Sequence, residues 1–408
     1  MVWFGCALLR TKVYHKEHLT MKPKSLVLSH ITAGFTAVLI GYTSSIVIIM
    51  QAASAAGATP LQIESWLLAL GIAMGVTSIG YSWYFKTPIL TAWSTPGAAM
   101  LVGIAAGYDL ATLLGAFVVS GCLIFITGLI SPLAKALKRI PSPLATAMLG
   151  AILLPFCVKA FTPLMDAPWL FISMFLTFMV SKRFMPKYAM LCLLLMGLGA
   201  SFYLNQTMFT KTVLSIASPI WLTPHFEIAA IINIAIPLYI VTMLSQNLAG
   251  IAMMNSYQYN APVKPILIGT GLSNMVLAPF GCFSVNLAAI SAAICMNDDV
   301  DEDKNQRFKA AMWAGVFYLL AGILASSLVA MFLAFPIHVT NMLAGFALLG
   351  TLLMCLQKAF LEDDYREPAL LTFLITLSGV SFLGVNSIVW GLLIGWLYAR
   401  LMKLGYTK

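Results

Sequence analysis

Lys86-Thr-Pro-Ile-Leu-Thr-Ala-Trp-Ser-Thr-Pro-Gly-Ala-Ala-Met100 starts as a stretch ill suited to helix, breaks near its second proline, and continues as a helix of small residues. Ala278-Pro-Phe-Gly-Cys-Phe-Ser-Val-Asn-Leu-Ala-Ala-Ile290 has the same form. In a soluble protein these would be two loops. Here charged residues make up 9% of a 408-residue chain and apolar ones 61%, which places both breaks inside a lipid bilayer. Irregular backbone at that depth is tolerated only where protein buries it or a cavity solvates it. A matched pair of interrupted segments in the two halves of a chain is therefore the best sequence pointer to a transport site.

The breaks fall near mid-membrane. With Pro88–Ser94 extended and Thr95–Gly107 helical, the two pieces rise about 23 and about 20 Å. Pro279–Ser284 extended and Asn286–Met296 helical give about 20 and about 16 Å. Ser94 or Thr95 suits the cap of the first half-helix, and Pro96 its first helical position, where a missing N–H costs nothing. Two helix N-termini then face each other, each with free N–H groups and about half a positive charge. Together they form an anion site that needs no Arg or Lys. Gly97 allows close backbone approach beside the first terminus, and Trp93 offers an aromatic face. A carboxylate on an aromatic or apolar body is the ligand these parts suggest. Ser284 and Asn286 belong to the second break.

Apolar runs punctuated by turns and charge place fourteen spans: 27–50, 62–83, 88–107, 110–131, 141–160, 168–182, 188–205, 227–249, 265–277, 279–296, 309–333, 340–357, 368–384 and 387–402. Of the 23 Lys and Arg residues, all but Lys159 and Lys211 then fall in loops on one side. By the positive-inside rule that side is cytoplasmic, and so are both termini. The net charge of +9 follows from this bias, with anionic inner-leaflet lipid as its partner and no role for nucleic acid. Residues 1–26 read as a cytoplasmic tail, with Met21 an alternative start.

Span one carries Gly41-Tyr-Thr-Ser-Ser45 and span eight carries Val241-Thr-Met-Leu-Ser-Gln-Asn247; a broken segment follows two spans after each. Seven spans per half is an odd number, so the halves are inverted. The fold expected is an all-α polytopic membrane protein built as a 7+7 inverted repeat, with half-extended, half-helical third and tenth segments. Ser245, Gln246 and Asn247 form the densest polar cluster in any span, and three consecutive residues cannot all face one neighbouring helix, which favours a cavity-lining role. Thr43, Ser44 and Ser45 are weaker candidates of the same kind, being common helix-packing residues. The run Asn297–Arg307 lacks the spacing and central glycine of a calcium loop and reads as a solvated loop. The seven cysteines read as packing residues; no metal site, cofactor motif or catalytic motif such as H-E-x-x-H or G-x-S-x-G is present, and the chain does not read as an enzyme.

With Ala92-Trp-Ser-Thr-Pro-Gly-Ala-Ala99 in view, the chain resembles the bacterial benzoate/proton symporter family. The likeness also rests on Leu39-Ile-Gly-Tyr-Thr-Ser-Ser45, Val241-Thr-Met-Leu-Ser-Gln-Asn247, Ser291-Ala-Ala-Ile-Cys295 and Met342-Leu-Ala-Gly345, in order across residues 27–400. It implies the fold of uracil-type permeases: a core domain (27–131 and 227–334), a gate domain (132–226 and 335–408) and a homodimer through the gates. Gln246 then stands where nucleobase permeases carry a glutamate and Val285 roughly where they carry another, which disfavours purines and pyrimidines. The function implied is secondary active import of benzoate or a similar aromatic carboxylate with a proton, by elevator-type movement, in the bacterial inner membrane. Another small organic or inorganic anion on the same fold, or a passive anion channel, is the alternative. No acid lies deep within a span: Glu64, Asp109, Asp166 and Glu227 lie near outer ends and His30 near an inner one. The acid either carries its own proton or is coupled through a peripheral residue.

Overall fold

The computed structural model describes residues 23–130, 141–203 and 215–405; the expected tail up to Lys22, Met21, Cys6, Lys135, Lys138, Arg139 and Lys211 lie outside them. Helix α1 (Pro23–Ala55) is followed by α2 (Pro60–Phe85), which opens with a reciprocal cap between Thr59 and Gln62 and has Pro60 in its first turn. Strand β1 (Thr91–Trp93) runs into α3 (Thr95–Ile104), and α4 (Leu110–Leu129) comes next. The helices α5 (Ser142–Lys159), α6 (Pro168–Phe184) and α7 (Ala189–Tyr203) precede α8 (Ile228–Ser256). After α9 (Val263–Leu277) come strand β2 (Val285–Leu287), α10 (Ile290–Met296), α11 (Phe308–Ile323) and α12 (Ala325–Leu333). The chain closes with α13 (Ile337–Ala359), α14 (Arg366–Ser378) and α15 (Ser387–Gly405). Among the described residues, eight helices are long and apolar enough to cross a membrane, or nine if the bent pair ending in α12 is one span.

Three helix pairs form the frame: α2 with α11, α4 with α9, and α5 with α13. Small residues bring the backbones together, as is usual where lipid removes the hydrophobic drive between helices. A methyl group on Gly71 of α2 would stand 2.7 Å from the Cα of Gly322 in α11, and one on Gly271 of α9 would stand 2.5 Å from the backbone N of Phe125 in α4.

The eighth and eleventh expected spans differ in form. The eighth continues to Ser256 and contains two π-helical stretches, Ile231–Ala235 and Thr242–Asn247. The eleventh is two helices bent by 65°. At that bend the Ile323 carbonyl accepts from the Ala217 N–H at 3.0 Å, and Leu324 has left helical geometry with ψ at 15°. A foreign donor thus replaces one rung of the helix ladder, a recognised cause of a sharp kink. The donor belongs to an extended segment that ties down several elements. Ile220 N–H donates to Ser65 of α2, Leu222 N–H to the Pro279 carbonyl, and His225 N–H to Ala111 of α4.

Candidate functional site

The two breaks meet as a two-stranded antiparallel sheet in which Thr91 faces Leu287, Ala92 faces Asn286 and Trp93 faces Val285. Ser94 N–H to the Ser284 carbonyl at 3.1 Å and Ala288 N–H to the Leu90 carbonyl at 2.9 Å extend the pairing. Side chains from the flanking helices serve the outer edges. Ser78 of α2 accepts from Thr91 N–H at 3.0 Å; Asn274 of α9 accepts from Val285 N–H at 2.7 Å and donates to its carbonyl at 3.1 Å. Asn247 of α8 accepts from Leu287 N–H at 3.0 Å. These contacts answer the requirement that non-helical backbone away from water be satisfied by protein.

The second break departs from the expected geometry. Ala278–Phe280 is a 3-10 turn and Gly281 is left-handed at φ 99°. Asn286 lies in β2 rather than at a helix start; α10 begins at Ile290, has seven residues, and carries Ala289 at its cap with no side-chain bond. The cause is pairing: β1 offers free backbone groups that continue the extended chain through Ala288. The first break is closer to expectation. Ser94 caps α3 by accepting from Gly97 N–H at 3.1 Å, and Pro96 occupies the second position, not the first.

Trp93 is buried, its ring centroid 4.6 Å from that of Tyr42, and its indole N–H donates to Ser45 Oγ at 2.8 Å. Ser44 is half-buried and bonds only the Gly41 carbonyl of its own helix. Thr95 is half-buried. A side chain at Gly97 would meet Leu238 of α8 at 2.7 Å, so helix packing occupies the space its lack of a Cβ leaves. The hydroxyl of Thr242, in the second π stretch, lies 3.0 Å from Ser284 Oγ and donates to Ser94 Oγ at 3.4 Å. One α8 side chain therefore touches both breaks.

The remaining α8 residues divide. Ser245 bonds back to the Val241 carbonyl, Asn247 holds β2, and Gln246 is half-buried with no hydrogen-bond partner among the described residues. Asn286 is fully buried; its amide nitrogen donates to the Leu287 carbonyl at 3.0 Å, which fixes the amide's orientation, and Oδ1 has no partner among the described residues. A buried acceptor left unpaired by the described residues suits a donor such as water or a ligand O–H.

Two clefts, each with two or more α5 residues and polar groups in its lining, lie along that helix. One, of about 310 Å³, is lined by Ser142, Thr146 and Leu149 of α5 and by Val241, Ser245 and Leu248 of α8. The other, of about 420 Å³, lies at the Lys159 end against α1, α3, α12 and α13. Outside these, the Asn297–Arg307 loop is more than a solvated connection: Arg307 and Asp301 are buried, and Arg307 donates to the carbonyls of Met296 and Asp301 and pairs with Asp298 at 2.7 Å. His30 Nε2 lies 3.0 Å from Asp301 Oδ2, within ion-pair reach though not aligned as a hydrogen bond. Glu64 accepts from the Ser326 hydroxyl.

Thr242, Tyr42 and Asn274 also hold or flank the breaks and are not among the candidates read from sequence. The first two sit in the polar motifs of spans one and eight, where the signal was present but the facing direction was not. Asn274 shares α9 with Thr270 and Ser273, Thr270 is equally buried, and only the contacts with Val285 mark Asn274 out.

The family model described as benzoate membrane transport protein matches residues 24–401. The chain is 43% identical over 363 residues to inner membrane protein YdcO of Escherichia coli (strain K12), covering 89% of this chain and 93% of that one. It is 38% identical over 377 residues to the benzoate membrane transport protein of Acinetobacter baylyi, covering 92% and 96%. Among solved structures, the transmembrane domain of the cyanobacterial bicarbonate transporter BicA aligns with a TM-score of 0.59 at 15% identity, over 91% of this chain and 97% of that one. SLC26A9 aligns with a TM-score of 0.62 at 12% identity, over 95% of this chain and 67% of that one. At those identities the likeness is one of fold.

Proposed function

The chain belongs to the benzoate membrane transport protein family, and from that premise we propose that it imports benzoate or a similar aromatic carboxylate across the bacterial inner membrane with a proton, by elevator-type movement of a core against a gate. The observation that carries the reading is the pairing of the two chain breaks, with Trp93, Gln246 and Asn286 gathered on the elements around them. Trp93 supplies a face for the ring, while Ser94, Thr95, Ser284 and Gln246 are the polar groups offered to the carboxyl. The free Asn286 acceptor suits a carboxyl that still carries its proton, which would let the substrate itself be the proton carrier.

Contacts between elements support the inverted 7+7 repeat. If the halves are equivalent, α2 corresponds to α9 and α4 to α11, so the α2–α11 pair maps onto the α9–α4 pair, and both are main packing pairs. The edge contacts obey the same exchange, Ser78 of α2 holding β1 as Asn274 of α9 holds β2. The two clefts on α5 lie where core (27–131 and 227–334) would meet gate (132–226 and 335–408), as sliding of one on the other requires. A small inorganic anion is the second reading, favoured by the fold's likeness to a bicarbonate transporter.

Uptake of labelled benzoate into proteoliposomes holding the purified protein tests the proposal. Saturable uptake driven by an imposed pH gradient, competed by aromatic acids and not by bicarbonate, is the expected result. Competition by bicarbonate alone would transfer the assignment to the second reading, and accumulation indifferent to the gradient would remove the proton.

A further inference from the structure

We infer that the cleft at the Lys159 end of α5 is a second binding site for the aromatic carboxylate, a vestibule in which the Lys159 ammonium takes the anion before it reaches the chain breaks. This rests on the aromatic-acid reading above and assigns a role to residues that reading does not use.

Lys159 stands in the last turn of α5, exposed, with no ion pair or side-chain hydrogen bond among the described residues. Among the described residues no carboxylate lines the cleft, and none there compensates the ammonium. Beside it the lining includes Phe156, Phe332 and Phe335, which offer apolar aromatic surface for a ring, and the half-buried amides of Gln51 and Asn341, neither of which has a hydrogen-bond partner among the described residues. A volume of about 420 Å³ lies within the roughly 300–1,000 Å³ usual for small-molecule sites, which combine apolar walls with a few polar groups. Position joins it to the breaks: on α1 the lining begins at Val47, just past Ser45, and on α3 it includes Val102. A lysine at a helix C-terminus also offsets the helix dipole, but that role needs neither the aromatic walls nor the absence of acids.

Photolabelling of the purified full-length protein with 4-azidobenzoate, with and without excess benzoate, tests the site, alongside uptake kinetics. Wild type is expected to show benzoate-protected label in the peptides around Phe156 and Asn341. Lys159→Met should reduce that label and raise the KM for uptake by about tenfold, as loss of a charge-assisted contact would, with maximal rate unchanged. Lys159→Arg should retain both, and high salt should weaken wild type toward the methionine variant. Protected label found only elsewhere, or Lys159→Met equal to wild type in label and KM while benzoate is still transported, overturns the vestibule and leaves the transport reading intact. Absence of any protected label together with absence of uptake overturns both.

Discussion

Thr242 and Ser284 hold their hydroxyl oxygens 3.0 Å apart, and the same Thr242 oxygen reaches Ser94 at 3.4 Å. The α8 helix is thereby fastened to both chain breaks at the point where one caps α3. Thr242→Val keeps the shape and removes the hydroxyl. At about 0.5–1.5 kcal/mol per neutral hydrogen bond, the variant should lose about 1–2 kcal/mol of stability and remain folded, yet its benzoate affinity should fall about tenfold. Thermal unfolding in detergent and binding on the same preparation check the two halves of this expectation. A variant that binds as wild type does would show that the tie is structural only.

Trp93 and Ser45 should behave as a coupled pair. Trp93→Phe keeps a ring against Tyr42 but loses the donor to Ser45, and Ser45→Ala loses the acceptor. Each should weaken binding a few-fold, and the double variant little further, with a coupling energy of about 1 kcal/mol. Trp93→Ala also removes the ring and should abolish uptake while the protein still inserts. Fully additive single and double variants would mean that the bond does not set the indole's orientation.

Asn274 tests the support rather than the site. Its side chain satisfies both the N–H and the carbonyl of Val285, so Asn274→Leu leaves two buried backbone groups unpaired, at about 1–3 kcal/mol each. The expected outcome is a loss of about 2–5 kcal/mol in unfolding stability and a low yield of folded protein. A loss under about 1 kcal/mol would indicate that water reaches β2 from the α9 side.

Gly281→Ala should fail more completely. The residue has φ 99°, and an added Cβ would stand 1.7 Å from Cδ1 of Trp66. A left-handed conformation and a rigid indole both oppose the methyl group, and Trp66 is itself buried against Phe117 and Phe283. Little folded membrane protein is expected on expression. Wild-type yield would contradict the close approach of Trp66.

These residues show what the sequence made legible. Proline, glycine and capping chemistry located the first break, because Ser94 and Pro96 act through local backbone rules. Local signals around Asn286 favour a helix start, since Asn is a good cap. The competing influence was β1, which pairs with residues 285–287 from almost two hundred positions away, and no local propensity reports such a partner. Ser44 and Ser45 are indistinguishable by sequence for a related reason: adjacent helix positions differ by about 100° in direction, and only packing tells which faces the indole. The bend at Leu324 was equally hidden, since its cause is the Ala217 N–H rather than a proline in α11 or α12.

Gln246 separates substrate contact from structural support. Its neighbours on α8 are committed, Ser245 to its own backbone and Asn247 to β2, whereas the Gln246 amide has no partner among the described residues. A polar side chain that holds nothing together should be replaceable without structural cost, so Gln246→Ala is expected to unfold within about 0.5 kcal/mol of wild type. Uptake of benzoate should nevertheless be lost. Gln246→Glu introduces a carboxylate beside the incoming one; it should bind poorly at neutral pH and recover as the pH falls toward the ordinary range of a glutamate side chain, where protonation removes the repulsion. Measuring stability, binding and pH profile on both variants decides the matter. Retained uptake in Gln246→Ala would place the carboxyl elsewhere, and a Glu variant insensitive to pH would place the side chain outside the pocket.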